Sequence, residues 1–269
     1  MIFQSFKKIF KHPVLLLPDI LLTIFIALMA RLTIFWTGVQ TILPETGSVS
    51  EELIRTFFQE NAFQIIWPLV LFFVTTFVVG VGEKVLKLEL ITNLLKTGKP
   101  HLKSAMKHRF DYFFKVILMK VYIFVLVFLV LFILIGLLGF LLNLLITPFN
   151  YNPSNIIAIL TTILTVIALV LLHMGLIFRY PIMFMTKTKT PHKVIIHSLK
   201  SFNIHRNYTL TVWITIVIIS IIFGIISLSI SAISFILIPY LVILIGALHQ
   251  TWMDLFVFLK FKQKFLRNP

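Results

Sequence analysis

FKVILMKVYIFVLVFLVLFILIGLLGFLL, residues 114–142, decides the class of this chain. From Val121 to Leu142 no side chain carries a charge. About 20 helical residues suffice to cross a hydrocarbon layer of about 30 Å, so the run is long enough to span, with length left over for tilt or protrusion. Five further runs qualify, and the six predicted spans lie near 14–36, 63–82, 114–142, 155–178, 209–231 and 236–259. The totals agree. The chain has 269 residues, 59% hydrophobic and 12% charged, with a mean hydropathy of +1.04. Soluble domains are nearer 45–50% apolar and about 25% charged. The expected fold is all-α integral membrane, a single polytopic domain over 1–269. No signal peptide with a small-residue cleavage site is visible, and the first run, from Val14, reads as a retained span.

The formal charge of +15 comes from 24 Lys+Arg against 9 Asp+Glu. Basic residues crowd alternate connections. They fill the segment before span one (Lys7, Lys8, Lys11), the connections after spans two and four, and the tail after span six. The opposite connections are acidic or uncharged, with Glu45, Glu51, Glu52 and Glu60 against Arg55 in residues 37–62. This is the positive-inside pattern, and it predicts a multipass protein of the plasma membrane with both termini cytoplasmic. Topology accounts for the basic excess, so nucleic acid is not expected as a partner. Anionic membrane lipid is. The sequence does not fix a homo-oligomer or a protein partner.

The basic segments resemble one another. IFQSFKKIFKHP, HLKSAMKHRFDYFF and HKVIIHSLKSF each place apolar residues at helical spacing beside lysines, and each precedes two spans. The stripes are Ile2, Phe3, Phe6, Ile9 and Phe10; Leu102, Ala105, Met106, Phe110 and Phe113; and Ile195, Leu199 and Phe202. Ser5, Ser104 and Ser198 mark a common register. The pattern predicts three units, 1–90, 91–185 and 186–269, each an amphipathic cytoplasmic helix followed by a transmembrane hairpin. The expected lipid contacts are Lys7, Lys8, Lys11, Lys103, Lys107, Arg109, Lys193, Lys200 and Arg206.

Two stretches carry a wider likeness. VVGVGEKVLKLELITNLLKTGKPHLKSAMKHRF leaves span two, and FRYPIMFMTKTKTPHKVIIHSLKSFNIHRNY leaves span four. With SFKKIFKHPVLLLP at the start, the chain resembles a six-helix, largely archaeal and bacterial family of uncharacterised membrane proteins. That family is related to the membrane domain fused to glycerophosphoryl diester phosphodiesterase. Tyr180, Pro181 and Ser198 fit its second pattern, while TKTKT replaces the acidic residues common there. The resemblance implies architecture and membrane location, and it brings no catalytic residue.

Chemistry-bearing residues within the spans are few. An ionisable side chain inside a span is by default a functional candidate with a partner to be named. Asp19 and Lys120 sit at similar depths and form a candidate pair, the alternative being a lysine that snorkels and an aspartate at a helix entrance. Arg31 reads as snorkelling beside Trp36. His173, His249 and Asp254 complete the intramembrane polar set, and His249 and Asp254 share span six with Gln250 and Trp252. A proton relay or metal site would require these groups to converge from different helices; otherwise each bonds a neighbouring helix or meets water. His101, His108, His192, His197 and His205 fall in the basic segments and read as solvated or phosphate-facing. Gly80 and Gly82 lack phosphate-loop spacing and read, like Gly136 and Gly139, as packing or bend positions. Ser48 and Glu51 suggest a capping box opening an outward surface helix whose apolar face is Leu53, Ile54, Phe57 and Phe58. The absence of cysteine excludes disulfides, thiolate metal sites and thiol catalysis. No nucleophile–base pair or metal motif is readable, so neither an enzyme nor a cofactor is expected. The favoured function is scaffolding or lipid organisation at the cytoplasmic leaflet. The alternative is a small-solute transporter or channel.

Overall fold

The computed structural model describes residues 1–38, 56, 59–146, 154–186, 188, 190–233 and 238–266. Among them all regular structure is helical, and six helices are long and apolar enough to cross a membrane. The elements are α1 (Ile2–Lys11), α2 (Leu17–Thr37), α3 (Ala62–Thr97), α4 (Leu102–Leu131), α5 (Gly139–Ile146), α6 (Ser154–Gly175), α7 (Arg179–Met185), α8 (Pro191–Ile204), α9 (Arg206–Ile233) and α10 (Ile238–Phe261). A π-helical stretch, Phe132–Leu138, joins α4 to α5 without a break. The proposed outward helix at 48–58 and its capping box lie outside the described residues, Thr56 apart.

The spans form a ring in which each packs on the next: α2 on α3, α3 on α4, α4 on α6, α6 on α9, α9 on α10, and α10 back on α2. The basic segments all gather at one end. Phe6 of α1 stacks on Trp252 of α10, Ser198 of α8 bonds the Gly175 carbonyl at the end of α6, and Tyr112 of α4 stacks on Phe184 of α7.

The largest departure from the sequence reading is α3. Span two was expected to end near residue 82, but α3 runs 36 residues. At 1.5 Å per residue it is about 54 Å long, well beyond a bilayer core of about 30 Å. Its first half shows apolar side chains outward, such as Phe63, Trp67 and Phe73. In its second half Val81, Val85, Leu88, Leu90, Ile91, Leu94 and Leu95 are all buried. There α2, α4, α7 and α10 pack against it, so a buried core lies at the basic end. The lipid-facing stretches bury little because hydrocarbon already solvates them; in the most apolar window of Phe110–Leu141 none of the described residues is buried.

Two local expectations are corrected. In the middle segment Ser104 is exposed and Ala105 is fully buried. The small inward residue is therefore Ser5, Ala105 or Ser198, each followed two places later by Lys7, Lys107 or Lys200. Serine spacing misses this register by one residue because Ala serves the close approach as well as Ser. Spans five and six are barely separated, and Ser227, Ser229, Ser231 and Ser234 before Pro239 read in the sequence as the region of a tight turn, but α9 continues through Ser227, Ser229 and Ser231 to Ile233. Inside a helix such hydroxyls bond carbonyls of the preceding turn. Pro239 sits in the first turn of α10, where a missing N–H costs nothing.

Candidate functional site: a buried charge network

Three helices bring five charged side chains together where the spans enter the basic end. Asp19 stands in the first turn of α2, just after Pro18, where the helix dipole favours a carboxylate. Glu83 and Lys84 are adjacent on α3 with Lys87 one turn further on, and Asp254 is near the end of α10. Lys87 is the hub. Its side chain is 0% exposed, and its Nζ donates to Asp19 Oδ1 at 2.6 Å. The same ammonium is 3.0 Å from Asp254 Oδ2 and 3.4 Å from Glu83 Oε1. Lys84 Nζ grips both Asp254 oxygens at 2.7 Å. Thr251, one turn before Asp254, donates its hydroxyl to Asp19 Oδ2 at 2.6 Å.

An aromatic ring and a further cation stand beside the network. Lys84 stands 5.3 Å from the Tyr180 ring centre and Arg179 stands 4.8 Å from it. Three carboxylates thus face two ammoniums directly, with a guanidinium across one ring. Burying a charge costs several kcal/mol unless pairing and hydrogen bonds repay it, and here every ammonium finds a carboxylate. Such a network fixes which helices meet, and at which turn. It ties α2 and α10 to α3 at one level.

The structure gives Asp19 a different partner from the one expected. Asp19 bonds Lys87 and Thr251, whereas Lys120 stands 5.2 Å from the Phe77 ring centre as a cation–π contact. Asp19 and Asp254 are brought together through Lys87. His173 lines a cavity of about 110 Å³ with Lys84, Arg179, Tyr180 and Asp254. His249 goes elsewhere, its Nε2 2.9 Å from Ser220 Oγ and its ring beside Phe223. Among the described residues no three His, Asp or Glu side chains form a metal cluster. Lys7, Lys8 and Lys11 line one cleft, described below. Lys103, Lys107, Lys193, Lys200 and Arg206 are exposed at the same end, and the Arg109 side chain lies outside the described set.

Lys84, Lys87 and Thr251 were not singled out from the sequence. The two lysines counted as loop charges because the span was closed at residue 82. The signal was present nonetheless: Val81, Val85, Leu88 and Leu95 continue one helical stripe past the charges. No protein-family model, curated protein or solved structure matches the chain.

Proposed function

We propose that this chain is a multipass membrane protein that gathers anionic lipid around its basic end, which faces the cytoplasm. One observation carries the reading. Each of the three amphipathic segments docks along a narrow buried seam and leaves exposed apolar side chains beside exposed lysines. Phe3 and Phe10, 86% and 70% exposed, flank Lys7 and Lys11 on α1. Met106 and Phe110 accompany Lys103 and Lys107 at the start of α4, and Ile196 and Ile204 accompany Lys193 and Lys200 on α8. That combination suits a helix at a lipid surface, with rings in the acyl boundary and ammoniums among phosphates. Each lysine near an anionic leaflet contributes about 1 kcal/mol.

The cyclic packing supports the three-unit reading. α1 rests on α10 and α8 on α6, in both cases the second span of the preceding unit, and α8 also packs on α4. It also agrees with the six-helix architecture that the resemblance implies. A small-solute path would need Asp19 and Asp254 open to solute. Both are held by lysines, which favours the lipid reading over transport.

The test is reconstitution into nanodiscs of equal parts phosphatidylglycerol and phosphatidylcholine, followed by lipid analysis of the purified particle. Phosphatidylglycerol should be enriched at low salt and less so at high salt, since exposed charges are screened. Equal retention of both lipids at low salt would refute the proposal.

A further inference from the structure

Between α1, the end of α3 and the end of α10 lies a cleft of about 800 Å³. Its polar wall is Gln4, Lys7, Lys8 and Lys11 from α1, with Lys262 and Gln263 from the π-helical turn after α10. Among the described residues no carboxylate lines it. The ion pairs of the buried network use Lys84 and Lys87 and none of these four ammoniums. Helix geometry explains the concentration. Gln4, Lys7, Lys8 and Lys11 recur at three- and four-residue spacing and share a face, while Ser5 and Ile9 hold the helix down by a neighbouring face.

The far wall is equally defined. α3 ends at Gly98 in a left-handed conformation, φ 80°, with open space where a side chain would project. Lys262 Nζ donates to the Leu95 carbonyl at 2.6 Å, which anchors that cation at the mouth of the cleft. Leu94, Leu95 and Leu259 supply an apolar floor. The local field is positive enough to be felt next door: loss of solvent, then Lys11 and Lys8, push the His12 imidazole below its ordinary range.

We infer that this cleft is a discrete binding site for a phosphate-bearing anion, held by Lys7, Lys8, Lys11 and Lys262. Three lysines on one rigid helix and a fourth fixed from a different element converge on one volume, an arrangement that takes a polyanionic group better than a single carboxylate. The ligand is either the headgroup of an anionic lipid or a soluble phosphate. The lipid source deepens the leaflet reading and rests on it; the soluble source does not.

The experiment uses the full chain and two probes. Inorganic pyrophosphate is titrated calorimetrically into protein in neutral detergent, and phosphatidylglycerol is counted by native mass spectrometry of protein released from nanodiscs. The variant is K7Q/K8Q/K11Q, and the control is K103Q/K193Q/K200Q on the other two segments. Saturable binding of one probe per chain is expected, weakened on the order of a hundredfold in the variant and little changed in the control. Pyrophosphate binding assigns a soluble ligand, and retention of phosphatidylglycerol alone assigns a lipid. If both triple variants lose affinity equally, or neither probe saturates, the site is overturned, while general anionic enrichment in nanodiscs leaves the leaflet reading standing. Lysine acylation of the unmodified chain gives a readout independent of folding in the variants. Bound probe should protect Lys7, Lys8, Lys11 and Lys262, and uniform labelling would contradict the site.

Discussion

Replacing Lys87 by methionine tests the account of the buried network at its hub. Methionine matches the length of the lysine stem and removes the ammonium. Asp19 then keeps only the Thr251 hydroxyl, and Asp254 keeps Lys84. Removing one partner of a buried ion pair costs about 3–5 kcal/mol, because the remaining charge stays desolvated. Lys87 is 0% exposed and Asp19 3% exposed, so water cannot relieve that charge without opening the helix contact. Adding Asp19→Asn removes the stranded carboxylate. The double variant should therefore recover part of the loss, with a coupling of about 2–3 kcal/mol in the cycle. Unfolding in mixed micelles is followed by fluorescence of the four tryptophans, of which the buried Trp252 adjoins Thr251. A cost for Lys87→Met below about 1 kcal/mol, or strict additivity of the two substitutions, would refute the argument, because pairs in contact couple by about 0.5–3 kcal/mol.

Other substitutions separate the interactions. Thr251→Val deletes a hydrogen bond to a buried carboxylate and should cost about 1.5–3 kcal/mol in the same unfolding assay. Lys120→Met should cost only about 0.5–1 kcal/mol, the worth of a cation–π contact; a loss as large as that of Lys87→Met would restore Lys120 as a partner of Asp19. Ser198→Ala removes the bond to the Gly175 carbonyl and should cost about 1 kcal/mol, whereas Ser104→Ala, on an exposed face, should stay within about 0.5 kcal/mol. Equal effects would contradict the register in which Ala105, not Ser104, is the inward residue.

The spans were legible because a bilayer asks for one property over a fixed length. Runs such as Val121–Leu142 supply it without ambiguity, and α6, α9 and α10 lie close to their predicted limits. The gathering of basic segments followed from counting charges by connection. The central pillar was less legible. α3 buries Lys87 among Val85, Leu88, Leu90 and Ile91, and a rule that closes a span at its first charges cannot see a helix that leaves the membrane and becomes a core. In the sequence Asp19 reads either as a carboxylate at a helix entrance or, on depth alone, as a partner of Lys120. Pairing across 68 positions of sequence depends on which helices pack, and one sequence does not specify that. The amphipathic faces were read as single stripes. In the structure α1 divides its own, turning Ile9 inward and Phe3 and Phe10 outward, and only the tertiary neighbours decide where that division falls.

The most direct test of the whole arrangement is compartment-specific labelling, since the chain has no native thiol to interfere. Gln59→Cys lies at the end remote from the basic segments, while Ser104→Cys and Lys200→Cys are exposed at the basic end. A membrane-impermeant maleimide applied to intact cells should modify Gln59→Cys alone, and the other two should react only after the membrane is opened. Reaction of Ser104→Cys and Gln59→Cys from the same compartment would contradict the topology, and with it the placement of three lysine-bearing helices against the inner leaflet.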